Sequence, residues 1–190
     1  MSPSRWEMPP VYLQSGDPET ESTPTLHAPG LLGSRFTMVN TQRQQPGVET
    51  SAAGRSKRYQ LIRTDSSMAT APFPGAAAWW ADRAAYLVTT NPTANNRNDI
   101  AGVFARAWAA AGDYMCVQIT GPRMVKVLDA DMAGLAAGDA IIPSTTAGKA
   151  TRVAIGTAPT HVPYGRVSSP LTTNAPDAQV LVDLDVPETT

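Results

Sequence analysis

Nucleophilic catalysis needs a serine or cysteine within reach of a histidine and an acid, and this chain offers one cysteine, Cys116, and two histidines, His27 and His161. Cys116 stands mid-way along residues 113–120 (DYMCVQIT), where a strand makes it a small core hydrophobe, while His161 stands in the loop APTHVPYG. There is no Gly-x-Ser-x-Gly elbow. A lone cysteine closes no internal disulfide, and histidines this far apart give no metal-ligand spacing. Paired carboxylates occur at Asp129/Asp131 and Asp183/Asp185. The second pair projects from one face of a strand, a placement open to cation binding or acid–base work, though a solvated strand face accounts for it as well. The run TTAGKAT (145–151) has glycine and lysine without the phosphate-loop spacing, and it reads as a hairpin turn. No catalytic, cofactor-binding or metal-ligating residue is assigned, and the expectation is a protein that binds rather than catalyses.

The residues that suit partner contact are of other types. Arg55, Lys57 and Arg58 in GRSKR (54–58) make the densest positive patch, and Trp79-Trp80 combines the side chains most enriched at interface centres, with core packing as the alternative. Trp6 and Tyr12 are the aromatic residues of the N-terminal stretch. With 15 basic against 16 acidic side chains, the chain lacks the cationic excess that phosphate contacts require, so direct nucleic-acid binding is not expected. No apolar run nears the ~20 residues of a membrane-spanning helix, and residues 1–30 lack the apolar centre of a signal peptide. A soluble chain made in a reducing compartment is the expectation.

Three regions must position these residues. Residues 1–30 hold six prolines, and their few apolar residues follow neither period 2 nor period 3.6, so they read as an extended or disordered arm. Residues 31–99 supply additional strands and loops, among them a short strand over 35–39 and an alanine-rich stretch (75–87, GAAAWWADRAAYL) that propensity assigns to a short helix. Residues 100–190 read as the β-barrel core. Short apolar runs there are punctuated by Gly, Pro, Asn and Asp at the spacing of an all-β sandwich or barrel. Residues 113–120 and 178–186 alternate as half-buried strands, and 124–128, 139–144 and 150–155 are shorter candidates. Residues 98–112 divide the evidence. Ile100, Val103, Phe104, Ala107, Trp108 and Ala111 recur at helical spacing, yet Gly102…Val117 resembles Gly165…Val180, and proline and serine in the second copy break any long helix. The internal similarity favours a strand, a loop and a return strand in each copy. The expected fold is all-β, a small barrel or jelly-roll-like sandwich with an N-terminal arm and at most one or two short helices.

The stretches AGVFARAWAAAGDYMCVQITGPRMVKVL, AGLAAGDAIIPSTTAGKATRV, YGRVSSPL and VLVDLDV resemble the small capsid decoration, or cement, proteins of tailed bacteriophages. The shared features are turn chemistry and alternation, over somewhat under half of the chain. The resemblance implies a non-enzymatic virion protein, made in the host cytoplasm, that sits on the outer surface of the head. Its implied partners are the major capsid protein and itself, as a homotrimer more than a dimer. A head-fibre or tail-associated host-contact protein and a small carbohydrate-binding module are the rival readings. The carbohydrate module requires Trp79 and Trp80 to be exposed side by side.

Overall fold

The computed structural model describes residues 32–39, 56–66, 68, 70–93, 98–107, 112, 114–169 and 179–187. The arm expected over 1–30, with Trp6 and Tyr12, lies outside them, as does Arg55. The described strands are β1 (Arg35–Val39), β2 (Ser56–Thr64), β3 (Ala77–Asp82), β4 (Leu87–Thr89), β5 (Ile100–Phe104), β6 (Tyr114–Lys126), β7 (Ala140–Pro143), β8 (Ala150–Val153), β9 (Gly165–Ser169) and β10 (Gln179–Asp185). One short helix, α1 (Asp129–Met132), follows β6. The chain is all-β, as the turn spacing predicts, and of the two forms expected it takes the barrel.

Strands β2, β4, β3, β5 and β6 pair in that order, and β6 pairs again with β2 to close a five-stranded barrel. The barrel is mixed, because β2 and β4 run parallel while the other pairs are antiparallel. Strand β6 outruns this barrel. Its first part, Tyr114–Thr120, pairs with β2, and its second, Thr120–Lys126, pairs with β10. From β10 the sheet continues through β9, β7 and β8, and a parallel bridge from Ala150 to Val127 leads back to the end of β6. The Leu128 N–H donates to the Ala150 carbonyl at 2.9 Å beside that bridge. A second five-membered ring therefore shares β6 with the first.

Strand for strand the two rings have one topology, with β2 to β6 of the first matched by β6 to β10 of the second. In the first, Gly75 N–H donates to Phe104 O (3.0 Å) and Phe104 N–H to Ala76 O (2.9 Å). In the second, Gly138 N–H donates to Val167 O (2.7 Å) and Val167 N–H to Asp139 O (2.9 Å). Both glycines are left-handed, at φ 82° and 90°, and they lie 63 residues apart (138 − 75). Gly102 and Gly165 repeat at the same spacing for a reason of space. A methyl group on Gly102 would meet Gln118 O at 2.7 Å and Val117 Cβ at 3.0 Å, and one on Gly165 would meet Asp183 O at 2.8 Å and Val182 Cγ1 at 2.5 Å. Glycine stands where one strand presses on the next. The similarity legible in the sequence is thus structural, with one adjustment: Val117 matches Val182 rather than Val180, because the loop before the return strand is two residues longer in the second ring.

Two expected elements are corrected. Residues 75–87 form no helix; they make the hairpin of β3 and β4. Ala76, Ala77 and Ala78 are fully buried, Ala77 N–H donates to Gly148 O at 3.0 Å, and a Cβ on Gly148 would lie 3.3 Å from that of Ala76. The alanines are small because another segment lies on them, and packing overrides helix propensity. Residues 113–120 and 124–128, read as two separate strands, are parts of the one strand β6 plus the bridge residue Val127. Gly121, at φ 90°, bends β6 without ending it, and a Cβ there would meet Ser56 O at 2.4 Å. The buried Gln118 Nε2 donates to Thr120 O and Pro122 O, both at 3.0 Å, and so holds the bend from inside. For residues 98–112 the strand reading holds over β5, and residues 108–111 lie outside the described set.

Alternation places the core. Met115, Val117 and Ile119 of β6 and Val180, Val182 and Leu184 of β10 belong to one buried cluster that runs from Ile62 to Val186 through both rings. Cys116 falls on the other face of β6, in a smaller cluster with Phe36, Tyr59, Leu61 and Ala105. Phe36 and Tyr59 face each other across β1 and β2 with their rings stacked at 5.6 Å.

Candidate functional site

A concavity of about 290 Å³ opens at the mouth of the first barrel. Gln60 of β2, Trp80 of β3, Ala101 of β5 and Ile119 of β6 line it, and Arg83 and Tyr86 from the β3–β4 turn form its rim with Gly33 and Arg35. Adjacent strand residues point to opposite faces, so Trp79 turns away from this mouth as Trp80 turns toward it. Trp79 is 0% exposed and Trp80 8%. The tryptophan pair packs the core, the alternative left open by the sequence, and only Trp80 borders a space that a ligand can enter.

The rim is tightly built. The Tyr86 ring meets the Trp80 ring edge-on at 6.2 Å, and the Arg83 guanidinium lies 5.8 Å over Trp80 while pairing with Asp99. Tyr86 holds φ 51°, a left-handed conformation that a bulky side chain adopts only under constraint. The constraint is visible: Tyr86 N–H donates to Arg83 O (3.2 Å), and Tyr86 O accepts from Arg63 N–H of β2 (3.0 Å). The Tyr86 ring in turn requires a glycine at 33, where a Cβ would lie 2.2 Å from it. Gln60, buried beneath the rim, donates from Nε2 to Gly33 O at 3.3 Å.

The remaining sequence-derived residues are scattered. Lys57 and Arg58 are half-buried on β2, where they pair with Met38 and Thr37 of β1. His161 Nδ1 contacts Asn98 Oδ1 at 2.9 Å, and the Val162 N–H donates to the same oxygen at 3.4 Å. Asp131 accepts from Thr151 Oγ1 and from Arg152 N–H (3.3 Å), and Asp129 pairs with Lys149 at 3.4 Å, so this carboxylate pair ties α1 to the β7–β8 hairpin. Asp183 and Asp185 lie on the side of β10 opposite Val182 and Leu184, one half-buried and one exposed. Among the described residues no group of three or more His, Cys, Asp or Glu is placed to hold a metal ion, and no helix is long and apolar enough to cross a membrane.

Two buried polar residues of the second ring escaped the sequence reading. Asp139 accepts from Ala136 N–H (2.9 Å), Ile155 N–H (3.2 Å) and Arg152 Nη1 (3.3 Å). In the sequence it is one more Gly-Asp turn. Tyr164 is fully enclosed, and burial drives its phenol far above the ordinary tyrosine value. Its hydroxyl has no hydrogen-bond partner among the described residues.

Among the described residues, fold and site together define two β-rings on a shared strand, with a concavity at the mouth of the first. No protein-family model matches the chain, and no curated protein is significantly similar to it.

Proposed function

We propose that this chain is a structural protein of a bacteriophage head, which binds the outer surface of the shell and holds neighbouring major capsid proteins together without catalysing a reaction. The observation that carries the reading is the shared strand. A single 13-residue strand serves both rings, and one buried cluster runs through them, so the two barrels share one close-packed core. A shared core of this kind suits a clamp between shell subunits. The stretches that resemble decoration proteins fall on β5, β6, the β7–β8 hairpin, β9 and β10, which include every strand of the second ring. Low charged content, 16% of residues, supports the same reading, because burying many charges in a lattice costs desolvation energy. Self-association as a trimer, on the virion exterior, belongs to the proposal. The carbohydrate-binding rival loses its main support, since Trp79 and Trp80 make no exposed platform.

The test is co-sedimentation of the purified chain with empty heads of its own phage, together with the solution mass of the free chain. Saturable binding by a trimer or dimer is expected. A monomer that leaves the heads bare at micromolar concentration overturns the reading.

A further inference from the structure

We propose that the open mouth of the first barrel is a receptor for an aromatic side chain, and that its occupant is Tyr12 of this chain's own N-terminal segment. The second ring supplies the reason. The residue before the matched glycine is Ala101 in the first ring and Tyr164 in the second. The fully buried Tyr164 therefore stands at the matched position where the first ring has a single methyl group, and that residue, Ala101, lines the concavity. One topology has room for a phenol at this place twice, and the described residues place one there in the second ring.

The open mouth is furnished for such a ring. Trp80 and Tyr86 line it with rings set edge to face, the geometry in which a third ring packs well, and Ile119 lines the same space among more polar neighbours. The Gln60 carboxamide and the Arg83 guanidinium line the same space and give a phenol hydroxyl polar company, which the Tyr164 hydroxyl lacks among the described residues. The left-handed backbone of Tyr86 marks the rim as a place where conformational strain is held in position.

The sequence supplies the occupant. Pro9-Pro10-Val11-Tyr12 sets a tyrosine two residues after a proline pair, and Val162-Pro163-Tyr164 likewise joins a proline and a valine to the ring that fills the second barrel. Proline-rich segments dock on aromatic-lined grooves at small entropic cost, because their extended form is already favoured when free. Gly33 belongs to the rim, and Tyr12 stands 21 residues before it (33 − 12), a tether that spans at most ~70 Å at ~3.3 Å per residue. That length reaches the mouth of the same molecule or of a neighbour.

The experiment places the photo-cross-linker benzoylphenylalanine at position 12 of the full chain and maps the products by mass spectrometry. Cross-links to the peptides that carry Trp80–Tyr86 or Ile100–Ala101 are expected. A product of monomer mass means the same molecule and one of dimer mass a neighbour; either supports the assignment. Ala101→Tyr copies the second ring's plug into the first and should cut these cross-links about tenfold or more. Ala101→Leu is a smaller plug that serves if the tyrosine variant fails to fold. Cross-links confined to other surfaces overturn the proposal, and so does an undiminished yield in a plugged variant whose thermal unfolding is intact. Should neither plugged variant fold, the map of the otherwise unaltered chain decides alone.

Discussion

The two barrel mouths are built on matched backbones and end in opposite states. At matched positions the first ring has Gln60, Trp80 and Ala101, and the second has Arg123, Pro143 and Tyr164. What repeats is what the backbone demands: glycine at 75 and 138 for a left-handed turn, and glycine at 102 and 165 where strands touch. What differs is what fills the space between strands. The difference teaches that closure of the ring and occupancy of its mouth are separate problems. The first is solved by glycines and pairing, and the second by the side chains at these three positions.

Removing the plug is the strongest way to break the comparison. Tyr164→Ala deletes a fully buried ring, so a loss of about 3 to 5 kcal/mol is expected, read as the shift of the urea midpoint at unchanged slope. A loss under about 1 kcal/mol would mean that the second mouth collapses onto its neighbours as readily as the first stays open. Next in size come the paired glycines. Gly102→Ala and Gly165→Ala each force a methyl group against a carbonyl oxygen and a valine, and each should cost about 3 kcal/mol or slightly less. Costs that agree within about 1 kcal/mol sharpen the equivalence of the rings, whereas tolerance at one site alone would reduce it to a likeness of strand order.

Much of this architecture is legible in the sequence, and what is not has physical causes. Strand β10 is plain because Val180, Val182, Leu184 and Val186 alternate with polar residues on a half-buried strand. The Gly102 and Gly165 repeat also shows, because steric demand fixes a residue type. Residues 75–87 mislead because alanine carries two meanings, high helix propensity and small size, and only the tertiary neighbour Gly148 reveals which applies. Gly121-Pro122 misleads in a similar way, since glycine and proline mark turns locally, while the Gln118 amide that keeps β6 continuous is a contact within the fold. The division expected near residue 100 runs through the first barrel, because β2, β3 and β4 before it close only on β5 and β6 after it. Of the candidate site, the sequence yields Trp80. Gln60, Arg83, Tyr86 and Ala101 carry no signature, because their role comes from meeting at one barrel end.

The smallest effect concerns the hydroxyl that distinguishes tyrosine from phenylalanine in the plug. Tyr164→Phe removes a buried group without a partner among the described residues, so at neutral pH stability should change by no more than about 1 kcal/mol, with a gain the favoured sign. Alkali separates the two forms. Burial raises the Tyr164 pKa above its ordinary value of 10.0, so above that pH the unfolded chain releases this proton while the folded chain keeps it. The unfolded state then binds fewer protons than the folded one, and stability falls as pH rises, by about 1.4 kcal/mol per pH unit for one group. The variant lacks that proton in both states. Urea unfolding between pH 9 and about 11.5 should therefore show the native protein losing stability more steeply than Tyr164→Phe once the ordinary tyrosine value is passed. Parallel curves would show that solvent reaches the second mouth, and the contrast between a filled and an open barrel would no longer stand.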